Sequence, residues 1–148
     1  MGALSGSISY SKFFVRGKPP RQFQQPFMKG IRLRTFTPLE VDDEEDQRVG
    51  WCAPGNALDL DLGQAKVIQN QYVVLGFRVD KWRIPRPLFR AHFAEAEAQL
   101  LERQGKQRLS KKDKDELTFR IQRKLRKKVL PSTRAFDVCW DVDQGVLR

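Results

Sequence analysis

The chain has 148 residues; 28 are Lys or Arg and 18 are Asp or Glu, giving a formal net charge of +10 and a pI near 10.0. The length suits one domain with its own core, and the basicity points to polyanionic partners: DNA, RNA or an anionic membrane surface. No apolar run is long enough to span a membrane, and the N-terminus lacks a signal peptide's basic region and apolar core. Two distant cysteines and a single histidine offer neither a disulfide scaffold nor a zinc ligand set, so a cytoplasmic protein is expected.

Leu4–Val15 is rich in aromatic and β-branched residues and predicts a strand, ended by Gly17 and the Pro19-Pro20 pair. Between Arg21 and Arg34, Phe23, Phe27, Met28 and Ile31 recur at helical spacing. A short amphipathic helix follows from them, with Pro26 near its start. Glu40–Asp46 (EVDDEED) is an acidic run. Contiguous carboxylates repel one another and cannot all face one ion, so a solvated loop is expected. Val49–Trp51 predicts a short strand. Asn56–Leu62 alternates Leu58, Leu60 and Leu62 with Asp59 and Asp61, the pattern of a half-exposed strand. Tyr72–Val79 is nearly continuous apolar sequence and predicts a central strand covered on both faces.

Pro85 and Pro87 open a helix over Pro87–Gln104. Phe89, Phe93, Ala96 and Leu100 form its apolar stripe, and Gly105 is placed to end it. Ser110 is an N-cap for the next helix, predicted over Ser110–Val129. Asp113 stands three residues on, as in a capping box, and Pro131 stops the chain from continuing the helix. Phe136, Val138, Trp140 and Val142 then alternate with Asp137, Cys139 and Asp141, a strand with one buried face. A turn over Asp143–Gly145 leads to a return strand. A hairpin cut short after three residues predicts that these residues are the N-terminal part of a longer chain.

Charge is concentrated. Lys106–Arg134 carries twelve Lys or Arg and three acids, a local +9, leaving +1 for the rest of the chain. On a wheel with about 100° per residue and Leu117 at 0°, Ile121, Leu125 and Val129 fall within about 120°. On the same wheel, Arg126, Arg123, Lys127, Arg120 and Lys124 fall between about 180° and 340°, with Phe119 at about 200°. A stripe anchors the helix and the opposite sector presents cations, which release condensed counterions on meeting phosphates. Phe119 either packs on a neighbouring element or stacks on a base. Lys111, Lys112 and Lys114 extend the patch, as does Arg134. Arg83 and Arg86 belong to a looser cluster around Trp82.

Catalytic chemistry has weak support. There is no P-loop and no nucleophile elbow, and neither cysteine has a readable catalytic setting. Metal-dependent nuclease chemistry would need converging carboxylates, for which Asp59 with Asp61, or Asp137 with Asp141 and Asp143, are the only sets. Both read as ordinary solvent faces of strands. His92 borders an apolar stripe and reads as structural. No catalytic residue, metal ligand or cofactor is therefore expected.

The Val49-Gly50-Trp51 triplet, strand Tyr72–Val79 and the Ile84-Pro85 lead into a helix resemble the N-terminal half of the RdgC family of recombination-associated bacterial proteins. The basic link around Ser110–Glu116, the Leu130-Pro131 helix stop and the strand-turn-strand Phe136–Leu147 extend the resemblance over most of the chain. Met1–Gly6 and the acidic run depart from the family's pattern. The resemblance implies duplex DNA binding with little sequence preference, nucleoid association, and ring-like homodimers with a basic inner surface. It also implies modulation of recombinase-driven strand exchange. The family also carries an exonuclease label, which nothing in these residues supports. The expected whole is a single α+β DNA-binding domain over residues 1–148: a mostly antiparallel sheet with an amphipathic helix hairpin, one helix strongly basic. An RNA-binding module and a metal-dependent nuclease are the alternatives.

Overall fold

The computed structural model describes residues 9–148. Its elements run β1 (Phe13–Phe14), α1 (Gln24–Arg32), β2 (Gln47–Cys52), α2 (Gln64–Val67), β3 (Ile68–Gln69), β4 (Tyr72–Lys81), α3 (Arg86–Gln104), α4 (Lys111–Arg126), β5 (Ser132–Asp141) and β6 (Val146–Leu147). The fold is α+β. Its antiparallel sheet has six strands among the described residues, in the order β1-β6-β5-β4-β2, with β3 paired to β4 off that path. Two compact units divide the chain. The first holds the described residues up to Thr37, with Val49–Val79 and Arg134–Arg148; the second holds Pro38–Arg48 and Asp80–Thr133.

In the first unit, α1 forms around the spacing of Phe27, Met28 and Ile31. Pro26 sits in its first turn, where a backbone N–H has no helical acceptor, so the missing donor costs nothing. Met28 and Ile31 bury against Leu62, Val67, Val73 and Leu75. Phe23, Phe27 and Trp140 close one side of this core, with ring centroids 5.7 to 6.1 Å apart. The β4 strand stands between β5 and β2, the central position its apolar run predicts. Phe36 is buried, with the Arg78 guanidinium 4.1 Å from its ring centroid. Of the strand expected over Leu4–Val15, residues 4–8 lie outside the described residues, and the rest supplies only β1.

Three departures from the sequence pattern have local causes. Asn56–Leu62 forms no strand. The Asn56 side chain accepts from the Leu58 N–H at 3.0 Å and Asp59 accepts from the Asp61 N–H at 3.0 Å. These turns satisfy backbone donors locally and compete with a sheet ladder. Leu58 is left exposed while Leu62 enters the core. On β5, Phe136 stays exposed and Asp141 is buried, against the expected alternation. The Asp141 carboxylate accepts from the Gln144 N–H at 3.0 Å and so closes the turn into β6. The short α2 and β3 have no periodic signal; a left-handed Asn70 (φ 55°) lets the chain turn directly from β3 into β4.

The second unit is built on the α3–α4 hairpin. Leu109, Leu117, Ile121 and Leu125 form its core, and Phe89, Phe93, Ala96 and Leu100 pack on it as the stripe predicts. Each fully buried leucine or isoleucine contributes on the order of 1.5–3 kcal/mol. Gly105 ends α3 in the left-handed conformation (φ 61°). Ser110 caps α4: its Oγ accepts from the Asp113 N–H at 3.1 Å, and the Asp113 carboxylate accepts from the Ser110 N–H at 3.2 Å. The helix ends at Arg126, short of the expected Val129.

Candidate nucleic-acid interface

Because Leu117 and Ile121 are held in the core, the α4 residues flanking them face the open side of the hairpin. Arg120, Arg123, Lys124 and Lys127 line a cleft of about 620 Å³, with Ala96, Leu117 and Ile121 among its apolar lining. His92, Glu95 and Gln99 of α3 complete it. The four cations are exposed. Arg120, Lys124 and Lys127 make no ion pair among the described residues. His92 is half-buried, with Nδ1 3.8 Å from Glu95.

Arg126 departs from its expected place. It falls in the cationic sector of the wheel but is only 5% exposed. Its Nη1 donates to the carbonyl oxygens of Asp43 (2.6 Å) and Val41 (3.3 Å), and its Nη2 to the Asp46 carboxylate. It holds a loop and cannot meet a ligand. The reason is the acidic run: most of it is exposed, as expected of a solvated loop, but three of its oxygens are held by Arg126. Leu39 is buried, and Arg48 clasps Asp43 at 2.8 Å and the Pro38 carbonyl at 3.1 Å. Asp42 accepts from Arg123 Nε. The Arg123 hydrogen bond holds the Asp42 carboxyl below its usual value, with Lys127 adding attraction, and Asp42 in turn raises Arg123. The apolar Leu39 and Val41 beside the acids were the one signal in the sequence that this run would dock.

The other expected residues divide as follows. Lys112 and Lys114, in the first turns of α4, sit 4.0 Å from Glu116 and 3.9 Å from Glu97. These are exposed pairs that salt screens and that contribute little. Lys111 is exposed beside them, and Arg83 and Arg86 are exposed ahead of and at the start of α3. Arg134 lies on β5 in the first unit. Phe119 is 49% exposed and belongs to neither core cluster, so its ring is open to a partner. Trp82 is buried, with the Arg126 guanidinium over its ring.

Asp59 and Asp61 converge on the Lys66 ammonium, at 2.8 and 3.1 Å, and Asp137 accepts from the Gly55 N–H at 3.1 Å. Among the described residues no group of three or more His, Cys, Asp or Glu could hold a metal ion. No helix among them is long and apolar enough to cross a membrane. The geometry thus defines an α+β protein with a cationic cleft on a helix hairpin. No protein-family model matches the chain, and no curated protein matches it either.

Proposed function

We propose that this protein binds duplex DNA without sequence preference, through the α3–α4 cleft. The observation that carries the reading is the set Arg120, Arg123, Lys124 and Lys127, exposed along one side of a helix fixed by its opposite stripe. Cations on a rigid element meet a run of phosphates without first losing chain entropy, and each contact releases condensed counterions. Contacts between these cations and phosphates carry no sequence information, so an affinity built on them is electrostatic and its sequence preference low. Occupying DNA in this way tunes the access of other proteins to it. A recombination or nucleoid setting, a homodimer and a cytoplasmic location are carried by the resemblance to the RdgC family and by composition alone.

The test is a titration of labelled mixed-sequence duplex against the protein and its Arg120→Glu/Lys124→Glu/Lys127→Glu variant. None of these three residues holds an ion pair among the described residues, so the variant should fold normally by circular dichroism. Binding at low salt is expected to be lost in the variant. Equal binding by the two proteins sinks the reading. Competition by structured RNA at equal or lower concentration than duplex would transfer the cleft to the RNA-binding alternative.

A further inference from the structure

The acidic segment does more than close the hairpin. It has a fixed root and an exposed tip. The root is Arg126, nearly buried and bonded to three oxygens of the segment, together with the Trp82 backbone N–H, which donates to the Asp46 carbonyl at 2.8 Å. The Asp43–Arg48 clasp stiffens it further. The tip is Asp42. Its side chain is 62% exposed, and it lies on Arg123, itself 47% exposed and part of the cleft lining. Glu44 and Glu45 are exposed and make no ion pair among the described residues.

We propose that residues 40–46 are an internal competitor for the cleft: Asp42 occupies the Nε of Arg123 in the free protein and must leave before a phosphate can take that N–H. The inference rests on the polyanion-binding reading above and adds its regulation. A carboxylate and a phosphate oxygen make the same charge-assisted contact with a guanidinium nitrogen. Both cannot hold Arg123 Nε at once, and an exposed pair is weak enough to be displaced. The root stays in place throughout, because Arg126 lies outside the cleft lining and is itself only 5% exposed. The segment therefore remains poised beside the cleft, and the bound state must form against its standing negative charge. The device sets a threshold: weak or isolated anions fail to displace Asp42, and a run of phosphates that also engages Arg120, Lys124 and Lys127 succeeds.

The test is a double-mutant cycle on the full chain, read by duplex binding at fixed low salt. Asp42→Asn in the wild-type background is expected to tighten binding by about two- to five-fold, the ratio given by removing one exposed ion-pair competitor. In an Arg123→Gln background the same substitution should change affinity by a factor close to one, since there is no guanidinium to release. Melting temperatures of all four proteins keep folding out of the comparison. An unchanged affinity in Asp42→Asn overturns the proposal. So does an equal gain in both backgrounds, which would be the general effect of removing a negative charge. A wild-type protein that binds no duplex at low salt overturns the reading of the cleft itself and the competitor with it. Binding without the Arg123-dependent gain overturns the competitor alone.

Discussion

The guanidinium of Arg126 lies over the indole of Trp82, 5.8 Å from the ring centroid, and both side chains are more than nine-tenths buried. A cation at the end of a basic helix is thereby turned into the anchor of the 38–48 segment. Arg126→Met keeps much of the volume over the indole and removes all donors to Val41, Asp43 and Asp46. The cost expected for lost charge-assisted bonds is about 1–3 kcal/mol. It should appear as a lower urea midpoint with little change in slope. Arg126→Lys should recover only part of it, because one ammonium cannot reproduce a planar fork. A midpoint equal to wild type in the Met variant would show that the segment is held by its apolar residues instead.

What could be read from the sequence follows the range of the forces involved. The α4 cap, its Leu117-Ile121-Leu125 stripe and the Gly105 stop depend on residues at most a few turns apart, and each is found as expected. The central placement of β4 also follows from its own composition. The docking of Asp42 and Asp46 on α4 joins residues 81 and 80 positions apart, and periodicity carries no information about such a pairing. A wheel sorts residues into faces but does not say which face another segment covers, so Arg126 reads as one more surface cation. Asn56–Leu62 failed for a different reason. Alternation fits a strand, yet Asn and Asp can bond the backbone two residues on, and here they do.

Gly50 is fixed by the backbone it touches. A Cβ there would stand 2.3 Å from the Phe36 Cα and 2.6 Å from its backbone nitrogen. Phe36 N–H donates to the Trp51 carbonyl at 2.8 Å and Trp51 N–H to the Arg34 carbonyl at 2.9 Å, so neither chain can move away without breaking that pairing. Overpacking that side chains can absorb costs about 1–3 kcal/mol; here backbone must shift, and Gly50→Ala is expected at or above about 3 kcal/mol. Far-ultraviolet circular dichroism with a urea titration measures it. Gly30, where a Cβ meets nothing within 4 Å, is the control, and Gly30→Ala should leave stability equal or higher.

Asp42, Asp59 and Asp113 share a direction. Arg123, Lys66 and Ser110 respectively, each through a side-chain hydrogen bond, hold these carboxyls below the ordinary value of 3.8. A group depressed in the folded state binds fewer protons there than in the unfolded chain. Its contribution is therefore complete above the unfolded value and is lost as pH falls through the folded one. Stability should be flat from neutral pH to about 5 and decline through and below 3.8. Ser110→Ala should lower stability at pH 7 by about 1 kcal/mol, the usual worth of an N-cap. It should also flatten the acid decline, since Asp113 then loses its first partner. Urea midpoints measured across this range in both proteins check the pair; an unaltered acid slope in Ser110→Ala would detach Asp113 from the decline.

The cleft makes a numerical statement about salt. If Arg120, Arg123, Lys124 and Lys127 each meet one phosphate, the logarithm of the duplex association constant should fall against the logarithm of salt concentration with a slope of about −3.6, from about −0.9 per contact. Lys124→Gln should bring the slope to about −2.7 by the same rule. Single-stranded DNA should give a shallower line, about −0.7 per contact, at equal occupancy of the cleft. Arg126, being buried, should not enter the count: a variant there that still folds should keep the wild-type slope even if its affinity changes. A slope that drops equally for Lys124→Gln and for neutralisation of the Arg134 side chain on β5 would mean that the phosphates meet the general charge of the protein. A drop confined to these four cleft positions assigns the phosphates to the cleft, because only contacts that expel counterions contribute to the derivative.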